Sequence, residues 1–413
     1  MTGEVTIQYA LNRPRFPTLA TEQVAYLYLE AQPAASAVAA AAPLNLALVL
    51  DRSGSMAGQK IRDLRQAARL TLDRLGPDDL VSLVLFDDTV DVLAAARPAA
   101  DRAALLAQIE RSEERGGTQM SLGLQAGLAQ LRAGLGPDRV SRLLLLTDGE
   151  TWDDEERCRE LAQQATALGA PITALGLGDE WNQALLTDLA DLSGGNWEFI
   201  DTPDRILAAF QHVVVTMQRT VVTNATLILR LVRHVQPRGV WRVRPLIDRL
   251  SARAVGERDV QVALGDLQSE GQSVLVELSL PPRAPGDYRL AQAEVNYDVP
   301  GAGAGLKATA DIVVTFTAEA ATAVNGAVMN TVERVTAFKL MTRALDERET
   351  ADAGQRTQRL RAAATRLLDA GEVQLAQEAQ AAAAQLDAGQ ALSPHATKRL
   401  VSATRRLEMS DLG

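Results

Sequence analysis

Cysteine is almost absent from this sequence of 413 residues, in which Cys158 is the single example. A framework of intramolecular disulfide bonds is therefore excluded. Cys158 lies in a stretch of helical periodicity between residues 153 and 168, and we predict that it is a spectator rather than a nucleophile.

A secretory leader and a long apolar run are also missing. The first residues, MTGEVTIQYALNRPRF, contain no apolar core of signal-peptide length. The longest weakly polar stretch, residues 34–50, is mostly alanine and is interrupted by Ser36, Pro43 and Asn45. We interpret it as a linker followed by a strand, because a membrane span needs a longer apolar run. These absences predict a cytoplasmic protein with no membrane partner.

Positive charge is in deficit, since the formal net charge of the chain is −10. This balance argues against nucleic acid or an anionic membrane as the main partner. The sequence also has no Gly-x-x-x-x-Gly-Lys-Ser/Thr loop, so it does not encode ATP hydrolysis of the P-loop kind. The length is sufficient for two or three domains, each with its own hydrophobic core.

The most informative stretch is a nearly unbroken apolar run, residues 44–50, that ends at Asp51. Such a run is typical of a strand buried on both faces of a parallel sheet. Ser53 and Ser55 follow at alternate positions, and residues 59–75 then show helical spacing of apolar side chains. Loops between a strand's carboxyl end and a helix bind ligands in open α/β sheets. One carboxylate and two hydroxyls form an oxygen-only set that suits Mg²⁺ or Mn²⁺ better than zinc.

Two further stretches contain polar residues that complete such a set. Thr118 lies in RGGTQMSLGL, before a second helical pattern, and Asp148 follows the apolar strand of LLLLTDGE. In this order and spacing, DRSGSM, GGTQMSLGL and LLLLTDGE resemble a von Willebrand factor A (VWA) domain with a complete metal-ion-dependent adhesion site. The resemblance covers residues 43–218. It implies that one divalent cation is held by Asp51, Ser53, Ser55, Thr118 and Asp148.

The resemblance also implies a fold and a mode of action. The fold is a doubly wound, mostly parallel sheet of six strands with helices on both faces and the metal at the carboxyl edge. The residues themselves alternate strand and helix patterns here, and a hairpin at Asp87 and Asp88 predicts one antiparallel edge strand. In the family's mode of action, an aspartate or glutamate of a protein partner completes the coordination shell of the cation.

The remaining parts of the chain show other periodicities. Residues 1–42 contain two alternating strands and an Ala/Pro linker, and residues 219–318 contain six candidate strands of an antiparallel β-sandwich. Two strands cannot bury enough surface alone, so we predict that they join this sandwich and that the VWA domain is inserted into it. Residues 319–413 predict a C-terminal α-helical region. Its helices are predicted near residues 323–347, 353–370, 372–388 and 394–408.

Catalysis receives little support from the residues. A hydrolase would need a general base or a second metal near the first, and the three histidines, His212, His234 and His395, are distant in sequence from the metal loops. Ser53 stands where an aspartyl phosphatase needs a second aspartate. We interpret the carboxylates near the loops as solvated charges or acids at helix N-termini. These carboxylates are Asp87, Asp88, Glu150, Asp153 and Asp179.

The sequence therefore favours a non-enzymatic adaptor or scaffold that binds a protein partner through Mg²⁺ or Mn²⁺. Resemblance alone adds that bacterial proteins of this kind often work with an AAA+ ATPase of the MoxR or chelatase type. Two alternatives stay open: a metal-dependent subunit of an enzyme complex, and a protein that self-assembles through the metal. No pattern in the sequence identifies the partner or the oligomeric state.

Overall fold

The structure is a computed structural model that describes residues 4–38, 42–100, 102–110, 113–151, 153–256, 258–319, 323–346 and 352–407. Its first elements are the strands β1 (Val5–Leu11), β2 (Arg15–Pro17) and β3 (Gln23–Pro33), and the short helix α1 (Ala35–Val38). In β3, Leu27 and Leu29 face one hydrophobic core whereas Tyr28 faces another. This strand is therefore covered on both sides.

The next part of the chain alternates strand and helix, as the sequence predicts. The strands are β4 (Leu44–Asp51), β5 (Leu80–Phe86), β6 (Val90–Pro98), β7 (Val140–Thr147), β8 (Ile172–Leu177) and β9 (Asn196–Ile200). The helices are α2 (Gln59–Arg74), α3 (Arg102–Glu110), α4 (Met120–Arg132), α5 (Glu155–Ala167), α6 (Gln183–Ser193) and α7 (Ile206–Gln218). The strands form one sheet in the order β6-β5-β4-β7-β8-β9, with β6 antiparallel and the others parallel. The predicted doubly wound sheet and its antiparallel edge are confirmed.

The two central strands explain why this sheet is stable. Every residue of β4 and β7 is buried, and alternate side chains enter the cores on the two faces of the sheet. Helix α4 crosses β4 and β5 closely because it has a glycine where a side chain would collide. A Cβ atom added at Gly123 would lie 2.6 Å from the Phe86 ring and 3.0 Å from Val49.

Antiparallel strands follow and form two further sheets. They are β10 (Thr220–Leu231), β11 (Gln236–Arg244), β12 (Asp248–Arg249), β13 (Ala252–Ala254), β14 (Asp259–Gln268), β15 (Gln272–Leu280), β16 (Gly286–Val299) and β17 (Gly303–Thr317). Their orders are β1-β3-β15-β11-β12 and β13-β14-β10-β16-β17-β2. The N-terminal strands thus lie in both sheets, and the α/β part is inserted between β3 and β10, as predicted. Strands β2, β12 and β13 are not predicted from the sequence, because two or three residues carry no periodicity.

Four helices complete the described chain: α8 (Gly326–Leu345), α9 (Ala353–Asp369), α10 (Val373–Asp387) and α11 (Pro394–Arg405). They agree with the predicted helical region. Asn325, Asp352 and Ser393 cap three of them by accepting a backbone N–H with their side chains. The alanine- and leucine-rich stripes of α9 and α10 are buried against neighbouring elements. None of the helices in the described ranges is long and apolar enough to cross a bilayer.

Helix α11 fastens the helical region to the α/β sheet. Lys398 Nζ donates to the carbonyl oxygens of Asp179 (2.6 Å) and Trp181 (2.8 Å) and lies 4.3 Å from the centre of the Trp181 ring. Arg405 donates to the carbonyl oxygen of Trp197 at 2.6 Å, with its guanidinium 4.7 Å from that ring. Cation–π contacts are strongest where water is excluded, and both cations are buried.

We predict that Leu27→Ala lowers the free energy of unfolding by about 3 kcal/mol, because it leaves a cavity in the centre of the sandwich. Leu27 is fully buried on β3, between β1 and β15. The control is Leu19→Ala, at a position with 47% exposure, where a change below about 0.5 kcal/mol is expected. Urea unfolding monitored by circular dichroism measures the free energy of unfolding of both variants. Equal stability of the two variants would mean that β3 is not a core strand of the sandwich.

Candidate metal centre

The first metal loop begins at a buried carboxylate. Asp51 is the last residue of β4 and is fully buried. Its Oδ1 accepts the backbone N–H of Ser53 at 2.7 Å, and its Oδ2 accepts the hydroxyl of Thr147 at 2.6 Å. Burial raises the pKa of Asp51 to about 6, the two hydrogen bonds oppose the rise, and nearby Asp148 adds to it. A cation beside this carboxylate would stabilise its ionised form.

The five residues singled out in the sequence lie together at the carboxyl edge of the sheet. Ser53 Oγ and Ser55 Oγ are 3.0 Å apart, and Ser55 Oγ donates to Asp148 Oδ1 at 2.7 Å. A Cβ atom added at Gly149 would lie 3.5 Å from Thr118 Oγ1 and 3.8 Å from Ser55 Oγ. The hydroxyls of Thr118 and Ser55 therefore lie on the same side of Gly149, close to each other.

The site is accessible from one side. Asp51, Ser53, Thr118 and Asp148 are buried, whereas Ser55 is exposed on the short turn that follows Ser53. Two carboxylates and three hydroxyls are hard oxygen donors and fit Mg²⁺ or Mn²⁺. Within the described ranges no group of three or more His, Cys, Asp or Glu residues is placed to hold a metal. A metal at this edge would therefore depend on hydroxyl ligands.

A buried ion pair that no pattern in the sequence predicts connects the metal loops. Arg52, inside the DRSGSM motif, donates to Asp87 at 2.7 Å and to Asp91 at 2.5 Å. Arg115, in the loop that contains Thr118, donates to the same Asp87 oxygen at 2.9 Å. Burial alone would raise the pKa of Asp87, but hydrogen bonds from Thr89 and both arginines outweigh it and lower the pKa. The interpretation of Asp87 as a solvated loop charge is wrong, because its side chain is fully buried.

Backbone hydrogen bonds join the same loops. Gly54 N–H donates to the Gly116 carbonyl at 3.1 Å, and Arg115 N–H donates to the Arg52 carbonyl at 2.8 Å. At the start of α4, the Ser121 N–H donates to Asp154 at 2.8 Å. These contacts join residues that are 33 or more positions apart, so no local pattern reports them. The loops are rigidly positioned by their neighbours.

The other reactive groups considered in the sequence lie outside this cluster. Cys158 is buried on α5, where burial first and the nearby Asp154 second raise the pKa of its thiol. This environment supports the prediction of an unreactive thiol. His212 is 3.9 Å from Glu198 of β9, and His395 packs edge-on against Phe199.

Family comparisons identify the class of the α/β part. Residues 45–206 match the family model of the von Willebrand factor type A domain. Residues 326–410 match the model of the Sll0103-like, C-terminal alpha-helical domain. The chain therefore contains a VWA domain in its α/β part, followed later in the chain by a C-terminal helical domain.

Individual proteins and one solved structure are also similar to this chain. An uncharacterized protein of Synechocystis sp. is 35% identical over 268 residues, which cover 63% of each chain. Inter-alpha-trypsin inhibitor heavy chain H3 of Rattus norvegicus is 31% identical over 202 residues, which cover 46% of this chain and 22% of the relative. The matches thus span less than two thirds of these relatives. The solved structure of von Willebrand factor type A from Catenulispora acidiphila matches 99% of this chain and 98% of its own, with TM-score 0.82 and 17% identity. This last likeness establishes the fold alone.

We predict that Arg52→Met lowers the free energy of unfolding by about 3 kcal/mol, because it leaves the buried carboxylate of Asp87 short of a partner. Arg115→Met is the matched control. Arg115 contacts the same Asp87 oxygen, but its side chain is 57% exposed, so a clearly smaller loss than for Arg52→Met is expected. Urea unfolding at constant ionic strength compares the two, and equal losses would contradict the bracing role of Arg52.

Proposed function

We propose that this chain is a non-enzymatic adaptor or scaffold that binds a protein partner, rather than nucleic acid, through Mg²⁺ or Mn²⁺. The supporting observation is the row of oxygen contacts from Ser53 to Ser55 to Asp148, beside the buried carboxylate of Asp51. Membership of the VWA class supports the coarser part of this proposal, because such domains typically mediate protein–protein interaction.

The charge of the site indicates which chemical group of the partner would bind there. Asp51 and Asp148 supply at most two negative charges, and the hydroxyls of Ser53, Ser55 and Thr118 are neutral. A divalent cation held by this set keeps positive character on its exposed side, next to Ser55. A carboxylate oxygen from an aspartate or glutamate of the partner is the hard anionic ligand that suits the remaining position.

The surroundings of the site favour binding over catalysis. A general base needs a pKa near the working pH and access to the reacting group. Of the buried carboxylates at this edge, Asp51 has a pKa raised to about 6, but it is fully buried and both of its oxygens already accept hydrogen bonds. Asp87 accepts hydrogen bonds from Thr89 and two arginines, and they lower its pKa. It is therefore a poor proton acceptor at neutral pH. For this reason we assign the metal a bridging role.

Two finer elements of the proposal come from sequence reasoning. The partner is proposed to include an AAA+ ATPase of the MoxR or chelatase type, and the site of action is proposed to be the cytoplasm. Identification of the captured partner tests the first element, and fractionation of cells of the source organism tests the second.

We predict that Asp51→Ala and Asp148→Ala abolish binding of Mg²⁺ and of the partner while the fold is retained. Each removes one of the two charged ligands of the proposed centre. The control is Asp179→Ala, an exposed aspartate after β8 at the same edge of the sheet, which should behave as the unmodified chain. Isothermal titration calorimetry measures metal binding, and capture from lysate with Mg²⁺ or with EDTA, followed by mass spectrometry, measures partner binding.

The outcomes separate the candidate functions. A protein retained with Mg²⁺, released by EDTA and lost in both variants supports the adaptor. Full partner affinity in both variants would falsify the metal bridge. Metal-dependent turnover by the captured complex would favour an enzyme subunit, whereas a metal-dependent increase in the mass of the isolated chain would favour self-assembly.

A further inference from the structure

The second residue of α2 brings a positive charge into the candidate metal centre. Lys60 Nζ donates to Asp148 Oδ2 at 2.5 Å, while Asp148 Oδ1 accepts the hydroxyl of Ser55 at 2.7 Å. The side chain of Asp148 is fully buried, whereas that of Lys60 is 29% exposed. Both oxygens of this carboxylate are therefore engaged by groups of the same chain.

The residue type at this position is unusual for the chain. Of its 42 basic residues, 38 are arginine and four are lysine. Asp87, the neighbouring buried carboxylate, is bound by arginines. A guanidinium is a broad planar fork, whereas an ammonium is a compact and strongly hydrated point charge. Lys60 therefore presents to Asp148 the side-chain cation that most resembles a small metal ion.

The Lys60 ammonium and a divalent cation have conflicting requirements at Asp148. A cation that binds among Ser53, Ser55 and Asp148 comes close to Nζ of Lys60, and like charges repel strongly where water is largely excluded. The partial exposure of Lys60 gives its side chain a route away from the carboxylate, because its long stem allows the ammonium to reach solvent. Lys398, by contrast, is buried and is fixed by two carbonyl oxygens.

We propose that Lys60 is an internal competitor of the divalent cation, which neutralises Asp148 when no metal is bound and lowers the affinity of the site for the metal. This inference rests on the proposed metal-dependent binding. With a divalent cation and two ionised aspartates, the centre would be neutral without Lys60. With Lys60 nearby it carries a net charge of one positive unit, which matches a single carboxylate. Lys60 thus makes tight retention of the metal depend on the partner's acidic side chain.

The test measures Mg²⁺ binding by isothermal titration calorimetry on the full chain and on Lys60→Met, which removes the charge but keeps the length of the side chain. We expect Lys60→Met to bind Mg²⁺ at least about tenfold more tightly, since both the repulsion and the competing ion pair are lost. Lys60→Arg keeps the charge and therefore the repulsion, so it should bind Mg²⁺ more weakly than Lys60→Met. Equal or weaker binding by Lys60→Met overturns the inference.

The matched control is Lys307→Met. Lys307 lies on β17 of the sandwich, is 60% exposed and is 3.4 Å from Glu294, so its replacement should leave Mg²⁺ affinity unchanged. Asp148→Ala gives the blank for binding outside the site. If the unmodified chain binds no more Mg²⁺ than this blank, the proposed function fails and this inference fails with it. If binding is normal but Lys60→Met and Lys307→Met have the same affinity, only this inference fails.

A second readout uses the unmodified chain and does not depend on how variants fold. Acylation by N-hydroxysuccinimidyl acetate, followed by mass spectrometry, reports how free each lysine is. We expect Lys60 to react several-fold faster in Mg²⁺ than in EDTA, because the metal releases it from Asp148, whereas Lys307 reacts equally in both. An unchanged or slower rate at Lys60 under saturating Mg²⁺ contradicts the displacement.

Discussion

Parallel pairing of three neighbouring strands is the constraint on which the candidate site depends. β4 lies between β5 and β7, with Asp51 opposite Phe86 and Leu50 opposite Leu146. Because these strands run in the same direction and end in register, the loops after them emerge at one edge. Asp51 and Asp148 therefore lie close together although 97 positions separate them in the sequence. A shift of one residue in either pairing would turn the final side chain of the strand to the other face.

The parts of the site that local patterns encode were predicted from the sequence. The apolar run before Asp51, the glycines before Thr118 and the strand before Asp148 each reveal a loop at a strand or helix boundary. The same holds for the helical region, whose four helices were predicted to within a few residues of their observed bounds. The role of the five residues as metal ligands stays a prediction, since proximity alone does not establish coordination.

The parts that depend on distant contacts were not predicted. Asp87 looks like a polar residue in a hairpin, and only its contact with Arg52, 35 positions away, reveals a buried ion pair. Arg52 lies between the motif residues Asp51 and Ser53, where the residue type gave no indication of a buried ion pair. Lys60 is similar, because helical periodicity gives no indication that the second residue of α2 reaches Asp148. Electrostatic partners of this kind can be identified only from the folded structure.

The contacts around the carboxyl edge of the sheet reduce the entropic cost of binding a partner there. On one side, Arg52 and Asp87 fix the first loop to the β5–β6 hairpin. On the other side, Lys398 of α11 fixes the loop that contains Trp181, which follows β8. A partner that contacts a surface already held in place loses less conformational entropy in ordering it. The inserted topology contributes to the same effect, because β3 and β10 attach both ends of the α/β part to one sandwich. The helical region and the sandwich therefore serve as a rigid frame for the carboxyl edge of the sheet, where the partly exposed Lys60 is a charged group that can move.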